Sequence, residues 1–286
     1  MKVNLFLVGT PKAATTSIHD FLSCHPDVSM SKVKEPHYFS EIGGNVPSVK
    51  GLKSQSRYEA LFSETGKRYY GESSVSYMHS FDALNKIKLS TDSPKIVIML
   101  RDPVKRMFSH WLMDVRDGVQ SLDFKAAIQS DYLSLKKGFG ISHMYVECSH
   151  YSESIEECYR LFGRENVYVG FFEDYVNDSE RFNKKLLEWL GLSLTEMPGE
   201  IPKSNPASVP RNYLMTLLFH NYFLRSVLKY MLPDILISKI RSIVLKPANK
   251  VSISKVDYME MGSYFETDLE KLSEIIDWDL SRWHWK

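Results

Sequence analysis

The sequence has few cysteines. Cys24, Cys148 and Cys158 are the only three in 286 residues, and no two of them form a Cys-x-x-Cys pair. An odd number without that spacing argues against both a disulfide framework and a thiolate zinc site. It also lacks charge of one sign, since 36 Lys+Arg against 35 Asp+Glu leave a net +1. Nucleic-acid binders neutralise phosphates with a basic excess, so no nucleic-acid partner is expected. Long apolar runs are missing too. The most apolar stretch, Tyr213 to Leu224, contains His220 and Asn221 and stops at Arg225, which is too short to cross a bilayer. The amino terminus opens directly on Val3-Asn4-Leu5-Phe6-Leu7-Val8, with no basic segment ahead of a long apolar one. No signal peptide is expected, and the cytoplasm is the default location. No Pro/Gly/Ser-rich linker, repeat or low-complexity tract divides the chain, which reads as one domain over residues 1–286.

What is present is a large apolar fraction, 43%, with 13% aromatics. That suffices for a sizeable core. Short apolar runs alternate with longer amphipathic ones, the pattern of an α/β protein with a parallel sheet. Strands are expected at 3–8, near 68–71, at 96–100 and at 167–172. Ile18, Phe21 and Leu22 mark one helix face, stopped at Pro26. Met107, Trp111 and Val115 mark another, and a third covers 180–190. A last helix near 265–276 turns Leu269 and Leu272 inward, with Trp278 and Trp283 anchoring the tail. Residues 213–245 read as one or two helices with an apolar face and cationic edges. They either pack on the domain or form a lid or membrane-surface element.

Two junctions carry chemistry. The first follows strand one: Gly9-Thr10-Pro11-Lys12-Ala13-Ala14-Thr15-Thr16-Ser17. A tight loop entering a helix N-terminus exposes backbone N–H groups to an anion, and the helix dipole favours negative charge. Lys12 adds a full charge. Ala13 and Ala14 allow close approach to the backbone. Thr15, Thr16 and Ser17 offer hydroxyls and can cap the helix. This is not a Walker A loop, which sets its lysine directly before Ser/Thr at the helix start. The second junction follows strand three: Arg101-Asp102-Pro103-Val104-Lys105-Arg106, then Ser109 on a helix. Pro103 suits a first helical turn. Arg101 leaves the carboxyl end of a strand, where open α/β sheets bind ligands, and a guanidinium grips phosphate bidentately. Arg106 either adds a donor or pairs with Asp102. Two phosphate-type sites at two strand ends suit a nucleotide carrying phosphates on both sides of its ribose.

At these residues the chain resembles the sulfotransferases that use 3′-phosphoadenosine-5′-phosphosulfate (PAPS), especially the bacterial and heparan-sulfate-type branch. Pro11-Lys12-Ala13-Ala14-Thr15-Thr16 is similar to that family's 5′-phosphosulfate loop. Ala14 stands where the family has Gly, a replacement that a right-handed backbone would accommodate. Arg101 and Ser109 match its 3′-phosphate element. Lys34-Glu35-Pro36-His37-Tyr38-Phe39 resembles the segment bearing a catalytic glutamate. Phe171-Phe172-Glu173-Asp174-Tyr175 and Trp189-Leu190-Gly191-Leu192 also fit. Asn205 to Arg211 resembles the late loop that closes over the donor, which brings in Arg211 and Lys203. The cation that some heparan-type members place after Gly-Glu is replaced by Ser73-Ser74, which argues against a heparan-like glycan.

The resemblance implies a P-loop-like α/β domain with a central parallel sheet flanked by helices and a helical C-terminal part. It implies PAPS as donor, adenosine 3′,5′-bisphosphate (PAP) as product, no metal, and a small-molecule, glycan or lipid acceptor bearing a hydroxyl or amine. In that reading Lys12 neutralises the leaving oxygen, Glu35 takes the acceptor's proton and His37 stands in reserve. The bland alternative for Glu35 is a solvated carboxylate paired with Lys34 or Lys32. Two rivals remain: a P-loop kinase using ATP and magnesium, and a non-catalytic nucleotide-binding module with peripheral membrane contact.

Overall fold

The computed structural model describes residues 2–43, 51–62, 64–196, 208–210, 245–247 and 252–283. At its centre lies a sheet of five parallel strands in the order β2-β3-β1-β4-β5. The strands are β1 (Leu5–Gly9), β2 (Val28–Met30), β3 (Tyr69–Ser73), β4 (Lys95–Leu100) and β5 (Val167–Phe171). The expected strands at 3–8, 68–71, 96–100 and 167–172 are all present, with ends moved by one or two residues. Phe172 leaves β5 to open a short helix. The unexpected strand is β2. Its three residues, Val28-Ser29-Met30, are too few for an alternation to be read.

Burial on both faces explains the continuous apolar runs of β1 and β4. Phe6, Val8, Ile96, Ile98 and Leu100 face one core, while Leu5, Leu7, Val97 and Met99 face the other. The second core is closed by helix α1 (Thr15–Ser23) and by α8 (Ser179–Leu190), through Ile18, Phe21, Leu22, Phe182, Leu186 and Leu187. The first is closed by α3 (Phe81–Ser90), α4 (Pro103–Asp117), α5 (Phe124–Tyr132), α6 (Ser152–Phe162) and the C-terminal α10 (Glu266–Ile276). The remaining helices are α2 (Gln55–Glu59), α7 (Phe172–Asn177) and α9 (Lys255–Gly262). As expected, Leu272 is buried, Leu269 packs beside it, Trp283 is buried, and Trp278 stacks on Phe171 at 4.2 Å. Residues 208–210 and 245–247 form an antiparallel pair. The rest of the 213–245 segment, Lys203 and Arg211 lie outside the described residues. Among the described residues no helix is long and apolar enough to cross a membrane.

The strand order places a switch at β1. The chain moves from β1 to one side for β2 and β3, then crosses to the other side for β4. Ligands of open α/β sheets bind at the carboxyl ends of strands beside such a switch. Both chemical junctions are there: Gly9 ends β1 and Arg101 follows β4.

Candidate active site

The β1–α1 loop is fixed from both sides. Thr10 donates its N–H to the carbonyl of Met99 at 2.9 Å and its hydroxyl to the carbonyl of Cys148 at 2.9 Å. Gly9 is required by space, because a Cβ there would lie 2.8 Å from Cβ of Met78. The backbone of Ala14 is left-handed, with φ 63°. The right-handed accommodation expected for an alanine is therefore not what occurs. Ala14 bears a cost of about 1–2 kcal/mol that glycine would avoid. It is also the N-cap of α1 and has no side chain to bond the first-turn amides. Thr15, Thr16 and Ser17 follow as the first helical residues, not as caps. The helix start thus keeps its anion-binding character without an internal carboxylate or hydroxyl cap.

Strain concentrates here. Six described non-glycine residues have positive φ, and Lys12, Ala14, Glu35 and His37 among them line a single cleft. Backbone held in that region gathers at functional sites, where the surrounding structure over-determines it. The cleft encloses about 830 Å³ and is also lined by Thr15, Thr16, Ser17, Arg101 and Ser109. It therefore brings together the sequence-nominated residues that are described except Ala13 and Arg106, both of which are buried. Its volume is that of a site for a nucleotide-sized ligand.

Arg101 spans the two junctions. Its Nη1 donates to the carbonyl of Lys12 at 2.9 Å, and its guanidinium carbon lies 4.2 Å from the ring centre of Phe172. Its Nε is buried with no partner among the described residues. The ammonium of Lys12 rests 3.5 Å from the sulfur of Met113. Burial, then Arg116 and Arg101, lower its pKa to about 8. An anion in the cleft would reverse that effect.

Arg106 takes neither expected role. It is fully buried and its fork meets hydroxyl and carbonyl oxygens: Nε donates to Ser149 Oγ at 2.5 Å, Nη2 to the carbonyl of Tyr145 at 2.5 Å, and Nη1 to the carbonyl of Pro11 at 3.5 Å. Asp102 instead caps α4 by accepting from the N–H of Lys105 at 3.0 Å and takes the hydroxyl of Tyr258 at 2.5 Å. Pro103 occupies the first turn of α4, as expected.

Glu35 and His37 are positioned by the two serines that follow Glu72. The N–H of Glu35 donates to the carbonyl of Ser73 at 2.8 Å, and that of His37 to Ser74 Oγ at 3.0 Å. Glu35 pairs with Lys34 through one oxygen and faces His37 Nε2 at 3.5 Å through the other. Burial would raise its pKa, but His37 and Lys34 outweigh that and bring it to about 2. The pairing with Lys34 and a place on the cleft wall are thus both true of Glu35. His37 is 4% exposed, and its Nδ1 lies 2.7 Å from Ser76 Oγ. Glu72 is buried in a ring of hydroxyls, accepting from Tyr58, Tyr77 and Ser74 at 2.7–2.8 Å. Its pKa is raised, by burial above all.

The sequence reading missed one wall. His110, Met113 and Asp114 from α4, with Phe139, Gly140, Ser142 and His143 from the segment after α5, also line the cleft. Spacing on α4 could have nominated Met113 and Asp114, four and five residues beyond Ser109. Nothing local marks His143. Among the described residues no group of three or more His, Cys, Asp or Glu side chains is placed to hold a metal ion.

A left-handed, uncapped helix start beside the half-buried Arg101 at a topological switch defines an α/β protein whose cleft suits a phosphate-bearing ligand. Within that class the chain belongs to the sulfotransferase domain family, whose model matches residues 2–220. It is 23% identical over 265 residues to carbohydrate sulfotransferase 15 of Mus musculus, covering 73% of this chain and 47% of that protein. It is 25% identical over 114 residues to the membrane-associated sulfotransferase kil1 of Dictyostelium discoideum, covering 40% of this chain and 23% of that one. The chain thus spans about half the length or less of the curated relatives it matches. The crystal structure of a sulfotransferase from Alicyclobacillus acidocaldarius shares the fold, with a TM-score of 0.74, 24% identity and 99% coverage of both chains.

Proposed function

We propose that the chain transfers a sulfuryl group from PAPS to a hydroxyl or amine acceptor. Sulfuryl transfer, like phosphoryl transfer, needs alignment and neutralisation of the leaving oxygen more than covalent help. Lys12 would neutralise the 5′-phosphate oxygen as it leaves. That charge is new in the transition state, so a cation there accelerates reaction as well as binding. The amides and hydroxyls of Thr15, Thr16 and Ser17 would hold the 5′-phosphate. Arg101 and Ser109 would hold the 3′-phosphate, with Lys203 and Arg211 proposed to close over the donor.

The observation that carries this reading is the shared cleft of Lys12, Arg101 and Ser109. The kinase alternative is disfavoured by the lack of a lysine directly before Thr15 or Thr16. The name of the mouse relative supports a carbohydrate as acceptor, and that of the Dictyostelium relative supports contact with a membrane. The acceptor must lose a proton. Two groups on the cleft wall can take it: Glu35, backed by His37, and His143. Incubation with [35S]PAPS and a panel of neutral and anionic oligosaccharides tests the activity. Labelled sugar sulfate is the expected outcome; no labelled sugar sulfate, with ³²P transferred from [γ-³²P]ATP in the presence of magnesium, would contradict it.

A further inference from the structure

The cleft has an imidazole that neither the sequence motifs nor the family match singles out. His143 lines the same cleft as Glu35 and His37, held by α4, α5 and Tyr145. Its Nδ1 is 2.7 Å from Oδ2 of Asp114 on α4, and Asp114 also accepts the Tyr145 hydroxyl at 2.7 Å. Its main-chain N–H donates to Asp131 of α5 at 2.9 Å. Its ring stacks on Tyr145, centroids 4.9 Å apart and planes within 3°. Burial would raise the Asp114 pKa, but His110, His143 and Tyr145 outweigh that and lower it, so the carboxylate accepts and the proton sits on Nδ1. The other nitrogen, Nε2, carries the lone pair, has no partner among the described residues, and belongs to a ring that lines the cleft. Lys12 is close by: its ammonium touches Met113, the residue before Asp114.

We propose that His143, oriented by Asp114, is the general base that takes the acceptor's proton. The inference rests on the sulfuryl-transfer reading of the same cleft. As the acceptor oxygen or nitrogen forms its bond to sulfur, its proton passes to Nε2 of His143. The bond between sulfur and the 5′-phosphate oxygen breaks with its electron pair going to that oxygen, beside Lys12. A base held by a third group is the arrangement such proton transfers use. His143 also suits the task better than Glu35, whose two oxygens are engaged by Lys34 and His37. Charge supports the geometry. Burial alone would lower the His143 pKa, but the bond and charge of Asp114, with Asp131, outweigh it and raise it. His110 and Lys12 face the same space, and His110 is held neutral with its pKa near 3, by burial first.

The test uses the full chain and water as the acceptor: PAPS cleavage to PAP and sulfate under single-turnover conditions, with PAP affinity measured by calorimetry on the same samples. His143→Gln is expected to slow cleavage about 100-fold or more and to remove the acid limb of the pH–rate profile, with PAP affinity within twofold of wild type. Asp114→Asn is expected to move that limb to lower pH. In parallel, 15N NMR of the PAP complex reports the ring of His143, with Nδ1 protonated and Nε2 bare at pH above its pKa. Cleavage by His143→Gln at the wild-type rate with PAP bound overturns the proposal. So does an Nε2–H tautomer, whether or not water is a competent acceptor. Failure of the wild-type chain to bind PAP sinks instead the sulfotransferase reading on which it stands.

Discussion

The guanidinium of Arg101 donates a hydrogen bond to the main-chain carbonyl of Lys12, across the carboxyl ends of neighbouring strands β4 and β1. One residue thereby belongs to both proposed phosphate sites. It would bind the 3′-phosphate with its remaining donors while holding the left-handed backbone of Lys12. Donor binding and loop geometry are coupled through that bond.

Arg101→Ala should therefore weaken PAP binding and also lower turnover at saturating PAPS. A charge-assisted bond contributes about 1.5–3 kcal/mol, so a loss of about 10- to 100-fold in affinity is expected by calorimetry. A loss of affinity with unchanged turnover would separate the two roles.

Lys12→Ala should leave the fold intact and lower turnover by about 10²–10³, the scale of one preorganised charge at a developing oxyanion. The depressed pKa gives a second readout. Free Lys12 titrates near 8, and a bound dianion raises that value. PAP binding near pH 8 should then take up protons, seen as a buffer-dependent calorimetric enthalpy. Affinity should fall as pH rises above 8, when the ammonium is lost before binding. The Lys12→Ala chain should show neither effect.

The fold was largely legible because β1 and β4 are buried on both faces and α4 and α8 carry a regular apolar stripe. The donor side of the cleft was legible for a related reason: a loop and its helix are contiguous in sequence, so Lys12 to Ser17 and Arg101 to Ser109 announce themselves. The acceptor wall was not. Asp114 and His143 are 29 residues apart, and only tertiary packing joins them. Arg106 was misjudged for the opposite reason. A charged residue one turn from Asp102 looks like its partner, yet the helix turns it inward under Pro11 while Asp102 spends its oxygens on the helix cap and Tyr258.

Ala14→Gly offers a test of the strained loop. Glycine removes the left-handed penalty but adds entropy to the unfolded chain, so a net gain of about 0.5–1 kcal/mol is expected from denaturant melts. A loss of stability would contradict the left-handed backbone at residue 14.

Arg106→Met should be among the most destabilising single changes in the chain. It leaves the buried Tyr145 carbonyl and Ser149 hydroxyl short of their donor, at about 1–3 kcal/mol for each orphaned group. Arg106→Lys keeps the charge but not the fork, and should fall between the two. Wild-type stability in Arg106→Met would show that the fork is dispensable.

The most direct measurement is a calorimetric comparison of PAP alone with ATP plus magnesium on the wild-type chain. If Lys12 and Arg101 grip phosphates on opposite sides of one ribose, PAP should bind without any metal and at least about 100-fold more tightly, the equivalent of about 2.7 kcal/mol. Tighter binding of ATP with magnesium, or no binding of PAP, would contradict the account.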